Sequence, residues 1–129
     1  MRAEIFTLCE AATATPNGLN ILGTFDAIAS RAFPASHPFC AVALKVRFNP
    51  GEAGSHRFEI NLFGPDMAPV FEPIIWAPTI ETPPDKAPVA HWISWISPLP
   101  LPKPGEYELQ LLADGDVLHN CPFYVHQSK

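Results

Sequence analysis

The stretch that most restricts what this chain can fold into is residues 104–125, PGEYELQLLADGDVLHNCPFYV. Tyr107, Leu109, Leu111 and Ala113 alternate with Glu106, Glu108 and Gln110. A period of two puts successive side chains on opposite faces of a strand and has no counterpart on a helix. The segment is therefore a half-buried antiparallel strand. Val117, Cys121, Phe123 and Val125 form the apolar set of a return strand, with His119 in the same phase. A two-residue loop at Asp114-Gly115 would leave the two apolar faces out of step. A three-residue loop, Ala113-Asp114-Gly115, with Gly115 left-handed as a bulge, pairs Leu111 with Val117 and Tyr107 with Cys121. The spacing predicts the longer loop, and pairing of Ala113 with Asp116 would refute it.

Upstream segments supply more strands. Residues 2–9 carry Ile5, Phe6 and Leu8, apolar on both faces, as in a strand inside an assembly. Pro16-Asn17-Gly18 is a turn signal. Residues 19–33 are rich in β-branched and aromatic residues and read as strand, with Gly23 marking a bulge or bend; a helix over DAIASRAF is the competing reading. Val42, Leu44, Val46 and Phe48 alternate with Ala43, Lys45, Arg47 and Asn49, and Phe58, Ile60 and Leu62 with Arg57, Glu59 and Asn61. The turn Asn49–Gly54 between them predicts a hairpin, in which Arg47 and Arg57 would meet Glu59.

Seven prolines between Gly64 and Pro88 interrupt any ladder there, leaving a short edge strand over Val70–Trp76 and a polar, mobile loop over 81–86. Residues 89–97, VAHWISWIS, resume a strand with Trp92 and Ile96 on one face and Ile93 and Trp95 on the other. Pro98, Pro100, Pro102 and Pro104 then give an extended segment that can pair along one edge only. About eight strands and no long helix predict a two-layer antiparallel β-sandwich, with a small barrel as the alternative. The length of 129 residues and 47% hydrophobic content predict one domain spanning 1–129.

A net charge of −5 without a basic stripe argues against nucleic acid or an anionic membrane surface as partner. The first residues lack the uncharged run of a secretory signal, and no stretch approaches the roughly 18 apolar residues of a membrane span. The expected location is the cytoplasm. Cys9, Cys40 and Cys121 are too scattered for a CxxC site and read as buried, reduced thiols.

FTLCEAAT, NGLNILGTFDAI, HPFCAVALKVRF and LPLPKPGEYELQLLADG together resemble an uncharacterised family of small bacterial proteins. The resemblance covers nearly the whole chain, weakest between Pro65 and Pro88, and implies a β-sandwich with no established activity. Pro104-Gly105-Glu106-Tyr107 is similar to the entry of the penultimate strand in immunoglobulin-like domains, which implies a corner Tyr bonded back to the backbone. The Cys pair and intervening Trp of true immunoglobulin domains have no match here.

Chemistry-bearing motifs are sparse. There is no Gly-x-Ser-x-Gly elbow, no paired His spacing for a metal, and no glycine-rich phosphate cradle. A Cys9-Glu10 dyad and a His119/Cys121 ligand pair are both weaker readings than buried, packed side chains. No enzyme activity, cofactor or metal is predicted. The distinctive feature is aromatic: Trp76, His91, Trp92 and Trp95 form the candidate interaction surface. Trp92 and Trp95 fall on opposite faces, so one of them needs a cover: the Pro-rich loop, a second subunit or a ligand. The expected function is a non-catalytic, self-associating interaction module, and the alternative is a small-molecule or carbohydrate-binding domain that uses the Trp residues.

Overall fold

Segments of clean period-two alternation are strands in the computed structural model, which describes residues 1–81 and 87–129 and contains no helix among them. Thirteen strands follow in order: β1 (Arg2–Thr15), β2 (Gly18–Phe25), β3 (Ala27–Ser30), β4 (Ala35–His37), β5 (Cys40–Arg47), β6 (Gly54–Ser55), β7 (Phe58–Phe63), β8 (Ile74–Trp76), β9 (Thr79–Ile80), β10 (Val89–Ile96), β11 (Leu99–Leu101), β12 (Gly105–Ala113) and β13 (Asp116–Gln127). One sheet has the order β10-β5-β1-β2 and a second β3-β13-β12-β7-β8; β11 pairs with β4, and β6 with β9. The excess over the expected eight comes from pieces of two to four residues between the prolines and turns. The predicted mobile loop lies mostly outside the described residues.

The chain is all-β, as expected, and 19–33 is strand rather than helix. The sheets are not purely antiparallel, because β3 runs parallel to β13. Phe6, Leu8, Val42 and Leu44 from the first sheet and Phe58, Ile60, Leu109, Leu111 and Phe123 from the second share one buried cluster. Full burial of each such side chain contributes about 1.5–3 kcal/mol. A smaller cluster of Cys9, Ala12, Ala41 and Ala43, covered by Leu19, Ile21 and Ile93, occupies the other face of the first sheet. Thus β1 is apolar on both faces and has a strand on each side, as its sequence predicts.

Two register expectations are overturned. The closing hairpin pairs Ala113 with Asp116 around a two-residue turn, not the three-residue loop. Asp114 (φ 52°) and Gly115 (φ 87°) are both left-handed, as a primed hairpin turn requires. The phase mismatch that favoured a longer loop is real, but it is absorbed farther along. Leu111 faces His119 and Leu112 faces Val117, so Leu118 is the extra residue of a bulge. Tyr107 consequently opposes Phe123, Leu109 opposes Cys121, and Val117 is turned outward at 53% exposure.

The second correction concerns β5 and β7, which form no hairpin. β5 lies between β1 and β10, while β7 lies between β12 and β8 in the other sheet. Each strand's inward apolar row is covered by the opposite sheet, with Phe48 meeting Phe58 edge-on at 6.4 Å. Arg47 accordingly does not reach Glu59. It binds Glu4 at 2.8 Å, and Arg47, Lys45 and Arg2 together hold that carboxyl down at about 2. Arg57 reaches Glu59 along its own strand at 3.5 Å.

The Tyr107 corner is present. Its hydroxyl donates to the Lys103 carbonyl at 2.5 Å and accepts from the Lys103 N–H at 3.2 Å, while the ring is fully buried. Gly105 enters this corner at φ 142°, where an added Cβ would sit 2.5 Å from Pro65 Cγ.

Candidate functional site

The four residues singled out from sequence divide between two places. Alternation along β10 sends Trp92 inward and Ile93 and Trp95 outward, with His91 in the outward phase. Trp92 packs on Phe58 with ring centroids 4.9 Å apart, and Trp76 stacks on the same ring at 5.4 Å. Trp76 and Trp92 meet edge-on at 5.5 Å. Trp95 stacks on Phe39 at 4.9 Å, and both rings remain about half exposed (47% and 48%). The predicted surface is therefore an inner pair, Trp76 and Trp92, and an outer ladder of Trp95 and Phe39.

β8 and β10 are the end strands of their two sheets. A slot of about 320 Å³ reaches between them, walled by Val42, Leu44 and Trp92 from one sheet and Ile60, Ile74 and Trp76 from the other. Ser94 brings a hydroxyl to it. Trp76 Nε1 is buried and has no hydrogen-bond partner among the described residues. An indole N–H can only donate, and burying such a group unpaired costs about 1–3 kcal/mol. Sequence reasoning ranked Trp76 as a surface candidate but gave no sign of this unpaired donor, which depends on β8 meeting the other sheet's end strand.

A second polar constellation was missed altogether. His56 Nδ1 lies 2.7 Å from Asp114 Oδ2, and its Nε2 lies 2.7 Å from the Glu52 carbonyl. Both neighbours only accept, so both ring nitrogens must carry hydrogen to satisfy them, and the imidazolium is the fitting form. The Asp114 carboxylate raises the His56 pKa, and His56 in turn lowers that of Asp114. Asp114 also accepts the Arg57 N–H at 2.8 Å, which pins the hairpin tip to β7. The left-handed Asp-Gly turn was legible in sequence, but its partner 58 residues earlier was not.

Cys9 and Cys40 are fully buried and Cys121 partly so. Burial pushes all three thiols up, Cys40 to about 11, which keeps them protonated and weakly nucleophilic near neutral pH. His119 packs edge-on against Phe6 at 5.9 Å. Among the described residues no three His, Cys, Asp or Glu side chains converge as a metal-ligand set, and no helix is long and apolar enough to cross a membrane.

Residues 4–126 match the model of a family of unknown function (DUF6941). No curated protein matches the sequence. Among solved structures, one titled "putative beta-galactosidase from Bacteroides fragilis" is similar over 71% of this chain and 14% of that chain, at 16% identity and a TM-score of 0.42. A likeness of that size carries no argument about fold or activity.

Proposed function

The chain belongs to the family of unknown function DUF6941, and we propose that it is a non-catalytic interaction module, an immunoglobulin-like sandwich that self-associates through β10. The observation that carries this reading is the position of β10: eight residues long, at the end of its sheet, with no strand on its outer side among the described residues. An edge of that length is a template for pairing with another chain. Antiparallel pairing of two β10 copies is two-fold symmetric and would join two four-stranded sheets into one. The exposed Trp95–Phe39 ladder lies on the same end strand and supplies an aromatic anchor of the kind that dominates interfaces. The absence of catalysis is supported by three protonated thiols and by a His56 ring whose nitrogens are both engaged. Reduced thiols also suit the cytoplasm.

Sedimentation equilibrium at micromolar concentration tests this directly. The expected result is a dimer for the native chain and a monomer for Trp95→Glu, with the melting temperature of the variant little changed. A native chain that remains monomeric throughout would refute self-association.

A second reading, a small-molecule or carbohydrate-binding domain, is favoured by the slot beside β10 and by the unpaired Trp76 Nε1 in its wall.

A further inference from the structure

We infer that the slot between β8 and β10 binds an uncharged, mostly apolar small molecule that offers a hydrogen-bond acceptor to Trp76 Nε1, an inference that rests on the second reading above and narrows it. Its walls are aliphatic and indole side chains from both sheets, and no charged side chain lines it. An ionised ligand entering such a slot would lose its hydration without gaining a counter-charge. A sugar ring presents many hydroxyls, whereas the polar groups of the walls are the Trp76 N–H and the Ser94 hydroxyl; most of its hydroxyls would stay unpaired. Carbohydrate, the ligand class first suggested by exposed Trp residues, is therefore the poorer fit.

The volume of about 320 Å³ falls at the lower end of the roughly 300–1,000 Å³ usual for ligand sites. Apolar cavities stay dry, so water is a poor substitute for the missing acceptor. A flat bicyclic or short branched molecule carrying one ketone, ether or amide oxygen satisfies the shape, the lack of charge and the unpaired donor together. Its ring would lie against the Trp76–Phe58–Trp92 cluster, whose centroids are 4.9–5.5 Å apart.

The test uses acetylnaphthalene and ethylnaphthalene, two probes of one shape that differ in the acceptor, with cellobiose as the sugar arm. Binding to the full chain is followed by NMR on the indole N–H resonances, that of Trp76 being the one lost in Trp76→Phe. The expected result is that acetylnaphthalene binds about tenfold more tightly than its partner and moves the Trp76 resonance downfield. In Trp76→Phe the preference should disappear while both probes still bind. Ile74→Trp, which fills the slot, should abolish binding of both probes in a protein that still melts cooperatively. Equal affinity of the two probes in the native chain would overturn the acceptor inference. Binding of cellobiose alone would overturn the ligand class and leave small-molecule binding standing, and silence from all three would remove the site. None of these outcomes bears on the sedimentation result, which reads mass rather than the slot.

Discussion

Tyr107 and Trp76 are both large aromatic side chains with a single polar group, and the second sheet treats them in opposite ways. β12, which carries Tyr107, lies at its centre, where the hydroxyl both donates to and accepts from Lys103. β8, which carries Trp76, lies at its end, where the indole N–H is buried without a partner. At the centre, neighbours on both sides and a cover on the inner face settle every group. At the end, half of the neighbours are absent, so apolar surface and unpaired donors persist together. The central hairpin is organised for stability, and the paired end strands β8 and β10 are where binding capacity remains.

Truncation gives the largest contrast. Leu109→Ala on β12 should cost about 2–5 kcal/mol, because a side chain only 1% exposed is replaced by a cavity. Ile75→Ala on β8, where the side chain is 49% exposed, should change stability by less than about 0.5 kcal/mol. Urea unfolding midpoints at unchanged slope measure both. Equal losses would erase the distinction between centre and end. Next in size is Tyr107→Phe, expected to cost about 1–3 kcal/mol because it leaves the Lys103 N–H and carbonyl without their buried partner. A neutral result would mean that the corner is filled by water or rearranges freely.

A smaller effect belongs to the hairpin tip, and it depends on pH. The His56 pKa is raised above its ordinary 6.5, so its contribution is complete below that value and is lost as pH rises through the folded pKa. The Asp114 pKa is lowered below its ordinary 3.8, so its contribution is complete above that value and is lost as pH falls through the folded pKa. The pair therefore stabilises most between 3.8 and 6.5. Asp114→Asn keeps an oxygen for the Arg57 N–H but removes the charge. With Asp114 half exposed, the variant should lose only about 0.5–1 kcal/mol near pH 5, and the gap should close above about pH 8. A gap that is constant across this range would assign the contribution to the turn rather than to the ion pair.

What was legible in the sequence was the face of each strand, because alternation records burial directly. Val42, Leu44, Val46 and Phe48 point inward as their period requires, and Trp92 and Trp95 divide as expected. What was not legible was the partner along each edge. The turn at Asn49–Gly54 joins two correctly read strands, yet it carries the chain from one sheet to the other, since alternation does not distinguish a neighbour in the sheet from a neighbour across the core. The hairpin failed for a related reason: its faces had to be brought into step, but a bulge at Leu118 does this as well as a longer turn, and an Asp-Gly pair suits the shorter one. Contacts remote in sequence, His56 with Asp114 and Trp76 with Trp92, leave no local signature at all. The candidate site was therefore legible as a list of aromatic residues but not as two separate places.

The smallest predicted effect is also the one that separates the two regions by sign. Trp76→Phe removes the unpaired N–H and keeps a ring to stack on Phe58. Two terms compete: the smaller ring leaves some space in the wall, which costs stability, while an unsatisfied donor is withdrawn from an apolar setting, which returns about 1–3 kcal/mol. Because the wall already borders an open slot, the new space adds little packing loss, and the variant should be neutral to about 1 kcal/mol more stable by thermal unfolding. The same kind of change, deletion of one polar atom from an aromatic ring, thus destabilises at Tyr107 and does not at Trp76. If Trp76→Phe lost as much as Tyr107→Phe, the indole N–H would have to be satisfied in solution, and the slot would no longer hold a donor waiting for a ligand's acceptor.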